Sequence, residues 1–316
     1  MEMREKSIDV IVVELTNKCD LNCDFCSRNR KYNSIDIKLL ERFLKENNKL
    51  ENPINVFELG WGGNPLLHKN IKEIIKLFHN YNLRINTVTN GFNLLNILQK
   101  FEDNVLSGIH FTILLDSPNE KKNDMIMGKR NAFKRTLSAL NYLKSRNLSY
   151  DILMRLTSKN YDDIENMIEL CKMNRSNLLV PIEVFPHIKN RELLLDDEMK
   201  LKVMNTVCEL RSKGEPIHKV IQFEKPPSNC TYLRYKRLFI NSRYNLGFCH
   251  FLAHLSKNEI TDCRKYSFNQ LLQINNIVRR KFVEKKEREM GNWKYPRQTA
   301  SPCSYCIQKF GVNCKW

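Results

Sequence analysis

Cys19, Cys23 and Cys26 form a C-x3-C-x2-C run near the start of the chain. Three thiolates this close on one loop can hold three irons of a cubane and leave the fourth iron without a protein ligand. An iron left open in this way can bind and activate a second molecule. The alternative is a structural zinc site, which takes four ligands and usually draws them from C-x2-C pairs. No histidine lies close enough in sequence to be an obvious fourth ligand, so the count favours iron–sulfur.

Cys230, Cys249, Cys303, Cys306 and Cys314 make a second group. Cys230 and Cys249 flank a hairpin-like stretch, and Cys303-x2-Cys306 is a tight bidentate grip. Two and two give four thiolates, enough for a fully ligated 4Fe–4S cluster or for a zinc ribbon. Cys171, Cys208, Cys263 and Cys314 are then unassigned. The chain has 11 cysteines in 316 residues. It shows no cleavage-site pattern after its first apolar run and no stretch of roughly 18 uninterrupted apolar residues. A reducing, cytoplasmic setting and no membrane span are expected, so metal chemistry accounts for the thiols better than disulfides do.

The elements that would position these residues alternate. Residues 8–15 read as a buried strand and 37–47 as an amphipathic helix. Further strands are expected at 55–59, 84–88, 109–115, 149–156 and 178–185. Helices are expected at 71–79, 94–100, 132–146 and 162–172. Such repeats imply parallel strands with outer helices, an α/β class drawn as a partial (β/α)6 TIM-like barrel with chemistry at the carboxyl ends of the strands. Only 10 residues are glycine. Gly62, Gly63 and Gly91, each just past a strand, therefore mark close backbone approach. The rhythm breaks near 213–229, where Gly214, Pro216, Pro226 and Pro227 suggest a linker. The expected domains are 1–215, a linker at 216–229, and a small C-terminal α+β domain at 230–316. The last has a hairpin (237–240 with 245–249) and a helix near 271–289.

The run Glu14-Leu-Thr-Asn-Lys-Cys19-Asp-Leu-Asn-Cys23-Asp-Phe-Cys26 resembles the signature of the radical S-adenosylmethionine (SAM) enzymes. The resemblance implies that SAM chelates the open iron through its amino and carboxylate groups. One electron then cleaves it to methionine and a 5′-deoxyadenosyl radical. It implies Phe25 beside the adenine. Gly62-Gly63-Asn64-Pro65 resembles the family's Gly-Gly-Glu-Pro motif for the methionyl amine, with Asn64 in place of Glu. Thr89-Asn90-Gly91 matches a Thr-Asn-Gly found in many members. Leu114-Leu115-Asp116-Ser117 stands where relatives often read Ser-Leu-Asp-Gly, so Thr112 or Ser117 would meet the ribose. Arg155 would pair with the SAM carboxylate, a bidentate task suited to guanidinium; a core-edge arginine is the other reading. The resemblance covers roughly residues 8–215.

The C-terminal cysteines are similar to the auxiliary-cluster extensions called SPASM and, in shorter form, twitch. Five cysteines fit one auxiliary 4Fe–4S cluster, with Cys230, Cys249, Cys303 and Cys306 as ligands. Cys314 and Cys263 are then candidates for a thiol that returns a hydrogen atom to a substrate radical. Relatives with such extensions modify peptides, protein side chains, aminocyclitols and sugars. Dehydrogenation, epimerisation or cross-linking of a peptide or a small natural product is the expected outcome. The first strand begins near Ile8, so no separate leader-peptide domain is expected ahead of it.

The net charge is +17. An acidic electron donor of flavodoxin or ferredoxin type would complement it. The densest cationic stretch, Arg279-Arg280-Lys281 with Lys285, Lys286 and Arg288, is interleaved with Glu284, Glu287 and Glu289. It therefore reads as a solvated helix face rather than a nucleic-acid groove. Two rival functions remain open at this point: a zinc-stabilised basic RNA-binding protein, and a radical SAM scaffold that has lost catalysis and serves in binding.

Overall fold

The computed structural model describes residues 8–26, 32–180, 191–220, 236–250 and 259–290. In chain order the elements are β1 (Val10–Val13), α1 (Ile37–Asn47), β2 (Val56–Leu59), α2 (Ile71–Asn80), β3 (Arg84–Thr89), α3 (Leu94–Leu98), α4 (Asp103–Leu106), β4 (Ile109–Leu114), α5 (Glu120–Met127), α6 (Ala132–Ser145), β5 (Tyr150–Leu153), α7 (Ile164–Met173), β6 (Leu178–Val180), α8 (Asp197–Ser212), β7 (Ile217–Val220), β8 (Arg237–Ile240), β9 (Asn245–Gly247), β10 (Glu259–Asp262) and α9 (Phe268–Met290). The α/β class expected from the sequence holds, and strands pair in parallel as the repeats implied.

The chain divides into two compact units. The first comprises Met1–Lys18, Arg28–Ile85 and Phe223–Trp316; the second comprises Cys19–Ser27 and Asn86–Gln222. In the first unit β1 lies between β2 and β8, parallel to both, with Val10 opposite Val56 on one side and Arg237 on the other. Ile11, Val12 and Val13 are all buried, so both faces of the strand are covered, which accounts for its uninterrupted β-branched run. Strands β9 and β10 continue the sheet antiparallel. Helix α1 starts because the Asp36 carboxylate accepts the Lys38 N–H at 2.9 Å, and it buries Leu39, Leu40, Phe43 and Leu44. An N-cap of this kind contributes about 1 kcal/mol. Phe43 meets Phe268 of α9 with ring centroids 5.6 Å apart.

The second unit is a parallel run β4–β5–β6–β7, with Phe111 opposite Tyr150 and Ile152 opposite Leu178. Its fully buried set includes Ile113, Leu115, Ala139, Leu140, Leu143, Ile152 and Met167. These come from strand faces at period two and from helix faces at three or four.

Several elements depart from the expectation. Residues 217–220, read as the start of a linker, form β7 and pair with β6; Pro216 and Gly214 precede the strand rather than abolish it. Helix α5 has modest apolar patterning and went unseen, although Asn119 caps it at Lys122; Asp196 caps α8 at Met199. Strand β8, read as half of a C-terminal hairpin, is also parallel to β1. Arg279, read as part of a solvated face, is wholly buried. It donates to Asn275 Oδ1 at 2.6 Å and to the Phe248 carbonyl at 2.7 Å. Arg280 and Lys281 are exposed, as expected. Among the described residues no helix is long and apolar enough to cross a membrane.

Candidate functional site

In the second unit, the loop carrying Cys19, Cys23 and Cys26 is held by backbone and side chain together. Asn22 N–H donates to the Met127 carbonyl at 3.2 Å, Asp24 N–H to Ile126 at 3.3 Å, and Cys26 N–H to Cys23 at 3.1 Å. The end of α5 is thus the template for the loop. Gly128 closes that helix with φ of 60°, and a Cβ there would lie 2.0 Å from the Asn22 carbonyl oxygen. Only glycine meets both demands. Cys19 and Cys23 pack on a small core of Leu21, Met127 and Ala132.

Polar groups then fix the sulfurs. The Asn90 amide donates to Asp20 Oδ1 at 2.7 Å and lies 3.5 Å from Cys19 Sγ; Asn93 donates to Asp20 Oδ2 at 2.6 Å. Thr136 donates to the Asn90 carbonyl, and Gly91 at φ 75° permits the turn. Arg155 places Nη2 at 3.9 Å from Cys23 Sγ, its guanidinium lies 4.6 Å from the Phe25 ring, and Asp116 holds it in a bidentate pair. Burial pushes the Cys23 thiol up to about 12, with Arg155 pulling the other way. For Arg155, burial opposes the charge, but Asp116 and then Cys23 more than offset it, so the guanidinium is held above its usual value.

Three thiols spaced C-x3-C-x2-C on one loop suit a polynuclear cluster. An amide N–H and a guanidinium beside two of the sulfurs are the donors a thiolate-bound cluster takes. The donor set therefore fits the group.

In the first unit, Gly62-Gly63-Asn64-Pro65 follows β2. A Cβ on Gly62 would fall 1.5 Å from Glu14 Oε1, and one on Gly63 would fall 2.3 Å from the Lys18 carbonyl oxygen. Both glycines are required by this close approach of the β1 and β2 ends. Glu14 is buried and accepts the Ser242 N–H at 3.0 Å. Asn64 N–H donates to Lys18 at 2.8 Å, and its Oδ1 accepts the Leu66 N–H at 3.3 Å, starting a short 3-10 turn with Pro65 at its first position. Trp61, at φ 77°, stacks on His250 with centroids 4.2 Å apart.

The other expected site residues fall in different settings. Thr89 accepts the Gly91 N–H. Thr112 donates to Asn86 at 3.0 Å and Ser117 to Asp163 at 2.6 Å, so both hydroxyl protons are used within the protein. Cys249 is half-buried beside Val12, Phe239 and Trp61. Cys263 is wholly buried, its thiol pushed up to about 12 by burial. Cys171 is buried and Cys208 exposed. Cys230, Cys303, Cys306 and Cys314 lie outside the described residues. Asp20, Asn93 and Gly128 were missed as supports of the loop. For Asp20 the signal was available, an acid directly after the first cysteine facing two asparagines three apart.

Residues 13–171 match the Radical SAM superfamily. Over 170 residues the chain is 28% identical to the AdoMet-dependent heme synthase of Methanosarcina barkeri, covering 52% of this chain and 47% of that protein. It thus spans about half the length of this curated relative. Among solved structures, Streptococcus suis SuiB bound to its precursor peptide SuiA superposes with a TM-score of 0.65 at 16% identity, over 86% of this chain and 65% of that one. Native anSMEcpe with bound AdoMet gives 0.68 at 15% identity, over 92% and 88%. At these identities the likeness speaks for the fold, the partial-barrel α/β class expected from the sequence. With the three-cysteine loop and the family match over half its length, the chain belongs to the radical SAM superfamily.

Proposed function

We propose that this chain is a catalytically active radical SAM enzyme that abstracts hydrogen from a C–H bond of a peptide substrate. The observation that carries it is the Cys19–Cys23–Cys26 loop, templated on the end of α5 with Asn90 and Arg155 set on two of its sulfurs. A 4Fe–4S cluster with SAM supplies, when bound, one-electron cleavage to methionine and a hydrogen-abstracting 5′-deoxyadenosyl radical. The three cysteines would hold the cluster. The strap Gly62–Pro65 would present backbone carbonyls to the methionyl amine, with Asn64 offering a neutral amide where relatives carry a charge. Phe25, flanked by Ile126 and Leu193, would pack by the adenine, and Thr89, Asn90, Thr112, Ser117 and Arg155 would line the rest of the SAM site. What the protein adds is position and exclusion of water and stray quenchers.

The peptide reading rests on SuiB, solved with a precursor peptide, and on anSMEcpe, solved with AdoMet and a peptide together. A sugar or aminocyclitol is the competing substrate class. The proposal extends to one auxiliary 4Fe–4S cluster on Cys230, Cys249, Cys303 and Cys306, in a twitch-like arrangement. If the outcome is epimerisation, a thiol must reach the substrate radical. Of the two thiols proposed as donors, Cys263 is wholly buried, so Cys314 is the one proposed, with the exposed Cys208 as the alternative.

The test is anaerobic reconstitution with iron and sulfide, reduction by dithionite, and assay of 5′-deoxyadenosine and methionine. Turnover stimulated by peptides and lost in Cys23→Ala supports the reading. Stimulation by sugars alone would move the substrate class. Colourless, zinc-loaded protein that binds RNA would overturn it, and so would a reduced cluster that never cleaves SAM with authentic substrate.

A further inference from the structure

The second unit carries an exposed cationic patch directly behind the cysteine loop. Lys129, Arg130 and Arg135 lie in the turn after α5 and the first turns of α6, and all three are exposed. Lys129 Nζ stands 5.3 Å and Arg135 Cζ 4.3 Å from the centre of the Phe92 ring, so both cations lie over one half-buried aromatic. The nearby acids are already committed. Asp20 takes Asn90 and Asn93, Asp24 takes Lys159, Glu120 takes Lys134, and Asp124 caps the N–H groups of Asn131 and Phe133. Among the described residues none of Lys129, Arg130 and Arg135 forms an ion pair. Three exposed cations with no ion pair among the described residues, beside the Asp20 and Asp124 carboxylates that accept from neutral N–H groups, give a net positive local charge that the sequence-wide charge of +17 alone would not locate.

The same turn is mechanically tied to the loop. Gly128 sits against Asn22, and Ala132 packs with Leu21 and Met127 beneath Cys19 and Cys23. Phe92 packs on that same core. Its N–H donates to Asn90 Oδ1 at 3.1 Å, while the Asn90 Nδ2 lies 3.5 Å from Cys19 Sγ. One amide side chain thus connects that aromatic to the Cys19 sulfur.

We propose that Lys129, Arg130, Arg135 and Phe92 form the docking surface for an acidic, low-potential one-electron carrier protein. This rests on the radical SAM reading, which requires one electron for each SAM cleavage. In the transfer one electron leaves the reduced carrier, which is oxidised by one, and enters the cluster held by Cys19, Cys23 and Cys26, which is reduced by one. No bond forms or breaks and no proton moves. Complementary charge speeds such encounters and makes them salt-sensitive; the lever here is three cations, a carrier's acidic face, and a Debye length of roughly 10 Å at 0.1 M salt.

The test uses the full reconstituted chain and stopped-flow bleaching of the cluster by a reduced flavodoxin, with dithionite as the small-molecule reductant. The variant is Lys129→Glu/Arg130→Glu/Arg135→Glu, and the control is Lys49→Glu/Lys72→Glu/Lys76→Glu. At low ionic strength the patch variant should lose about 10- to 100-fold in second-order rate with flavodoxin. It should also lose most of the salt dependence, with an unchanged dithionite rate. The control should keep both. Equal losses in patch variant and control, or an unaltered flavodoxin rate in the patch variant, overturn the docking surface while leaving the enzyme reading intact. RNA retained by the patch without any effect on reduction overturns it as well. A cluster that neither reductant can reduce removes the enzyme reading and the docking surface with it.

Discussion

The guanidinium of Arg155 grips the carboxylate of Asp116 through Nε and Nη2 while standing 3.9 Å from the sulfur of Cys23. Asp116 is wholly buried and also accepts the Arg155 backbone N–H at 3.0 Å. The pair therefore does two things. It keeps a positive charge in place beside Cys23, the proposed cluster ligand, and it makes the end of β4 dependent on the residues that follow β5.

Removing that charge should lower the reduction potential of the cluster, because the reduced form carries the extra negative charge that a nearby cation stabilises. Arg155→Gln, in the folded and reconstituted protein, should shift the midpoint negative by up to about 60 mV, the one-electron equivalent of about 1.4 kcal/mol. Arg155→Gln should also destabilise the fold by about 3–5 kcal/mol, since Asp116 is left charged and buried. The double variant Arg155→Gln/Asp116→Asn should recover part of that stability. Redox titration followed by EPR, with denaturant unfolding alongside, separates the two effects. An unmoved potential in Arg155→Gln would show that the guanidinium charge does not act on the cluster.

Gly128→Ala should loosen the cysteine loop without unfolding the protein. The substitution forces a left-handed residue and a contact 2.0 Å from the Asn22 carbonyl oxygen. Strain of about 1–2 kcal/mol comes from the backbone alone. Gly108 offers the comparison, because a Cβ there meets nothing within 4 Å. Iron and sulfide content after reconstitution should fall markedly in Gly128→Ala and hold in Gly108→Ala. Equal iron retention in both would remove the role given to the end of α5.

Arg279 should behave as a core residue. It is wholly buried and serves Asn275 and the Phe248 carbonyl, just past β9. Arg279→Met fills much of the space but leaves those acceptors bare. The expected loss is about 3 kcal/mol, since an unmet buried polar group costs about 1–3 kcal/mol and bonds to a charged donor lie at the upper end. Arg280→Met, on an exposed neighbour, should change stability by less than about 0.5 kcal/mol. Chemical unfolding of the two variants side by side checks this.

The contrast between Arg279 and Arg280 shows where sequence reading stops. The cysteine loop was legible because it is a local pattern with a local chemical cause, and the Gly62–Gly63 pair because glycine is scarce in this chain, although the groups it makes room for, Glu14 and Lys18, lie near the end of β1. Strands β1, β2, β4 and β5 were legible because each is a short, mostly apolar run, although Glu58, His110, Thr112 and Asp151 interrupt all but β1. Helix α9 was placed, but its polar positions gave no sign that one arginine turns inward to serve the carbonyls beyond β9. That demand comes from a segment some thirty residues away and leaves no mark in the helix's own charge pattern. Asn93 and Gly128 were missed for the same reason. Their partners are brought to them by the fold, and spacing alone does not report it. Strand β7 was hidden by Gly214 and Pro216, which are turn signals close enough to a four-residue strand to mask it.

His68 gives the fold a dependence on acid. The ring is buried, with Nε2 2.8 Å from the Ile35 carbonyl oxygen and Nδ1 accepting the Asn70 N–H at 3.1 Å. Both contacts are met by the neutral ring protonated at Nε2, and protonating Nδ1 would set it against a donor. Burial lowers its pKa below the usual 6.5, with the Ile35 carbonyl pulling back. As pH falls through 6.5 the unfolded chain therefore takes up this proton before the folded one does. The contribution to stability is fully present above that pH and is lost on the acid side, down to the folded value. The slope cannot exceed about 1.4 kcal/mol per pH unit for one proton. His250 is buried too and its pKa is lowered by burial as well, so the quantity to read is the difference between the wild type and His68→Gln. Urea unfolding should give parallel stabilities above neutrality and a shallower acid decline in the variant. Identical slopes below pH 6.5 would mean that the Ile35–His68–Asn70 contacts do not hold the ring neutral.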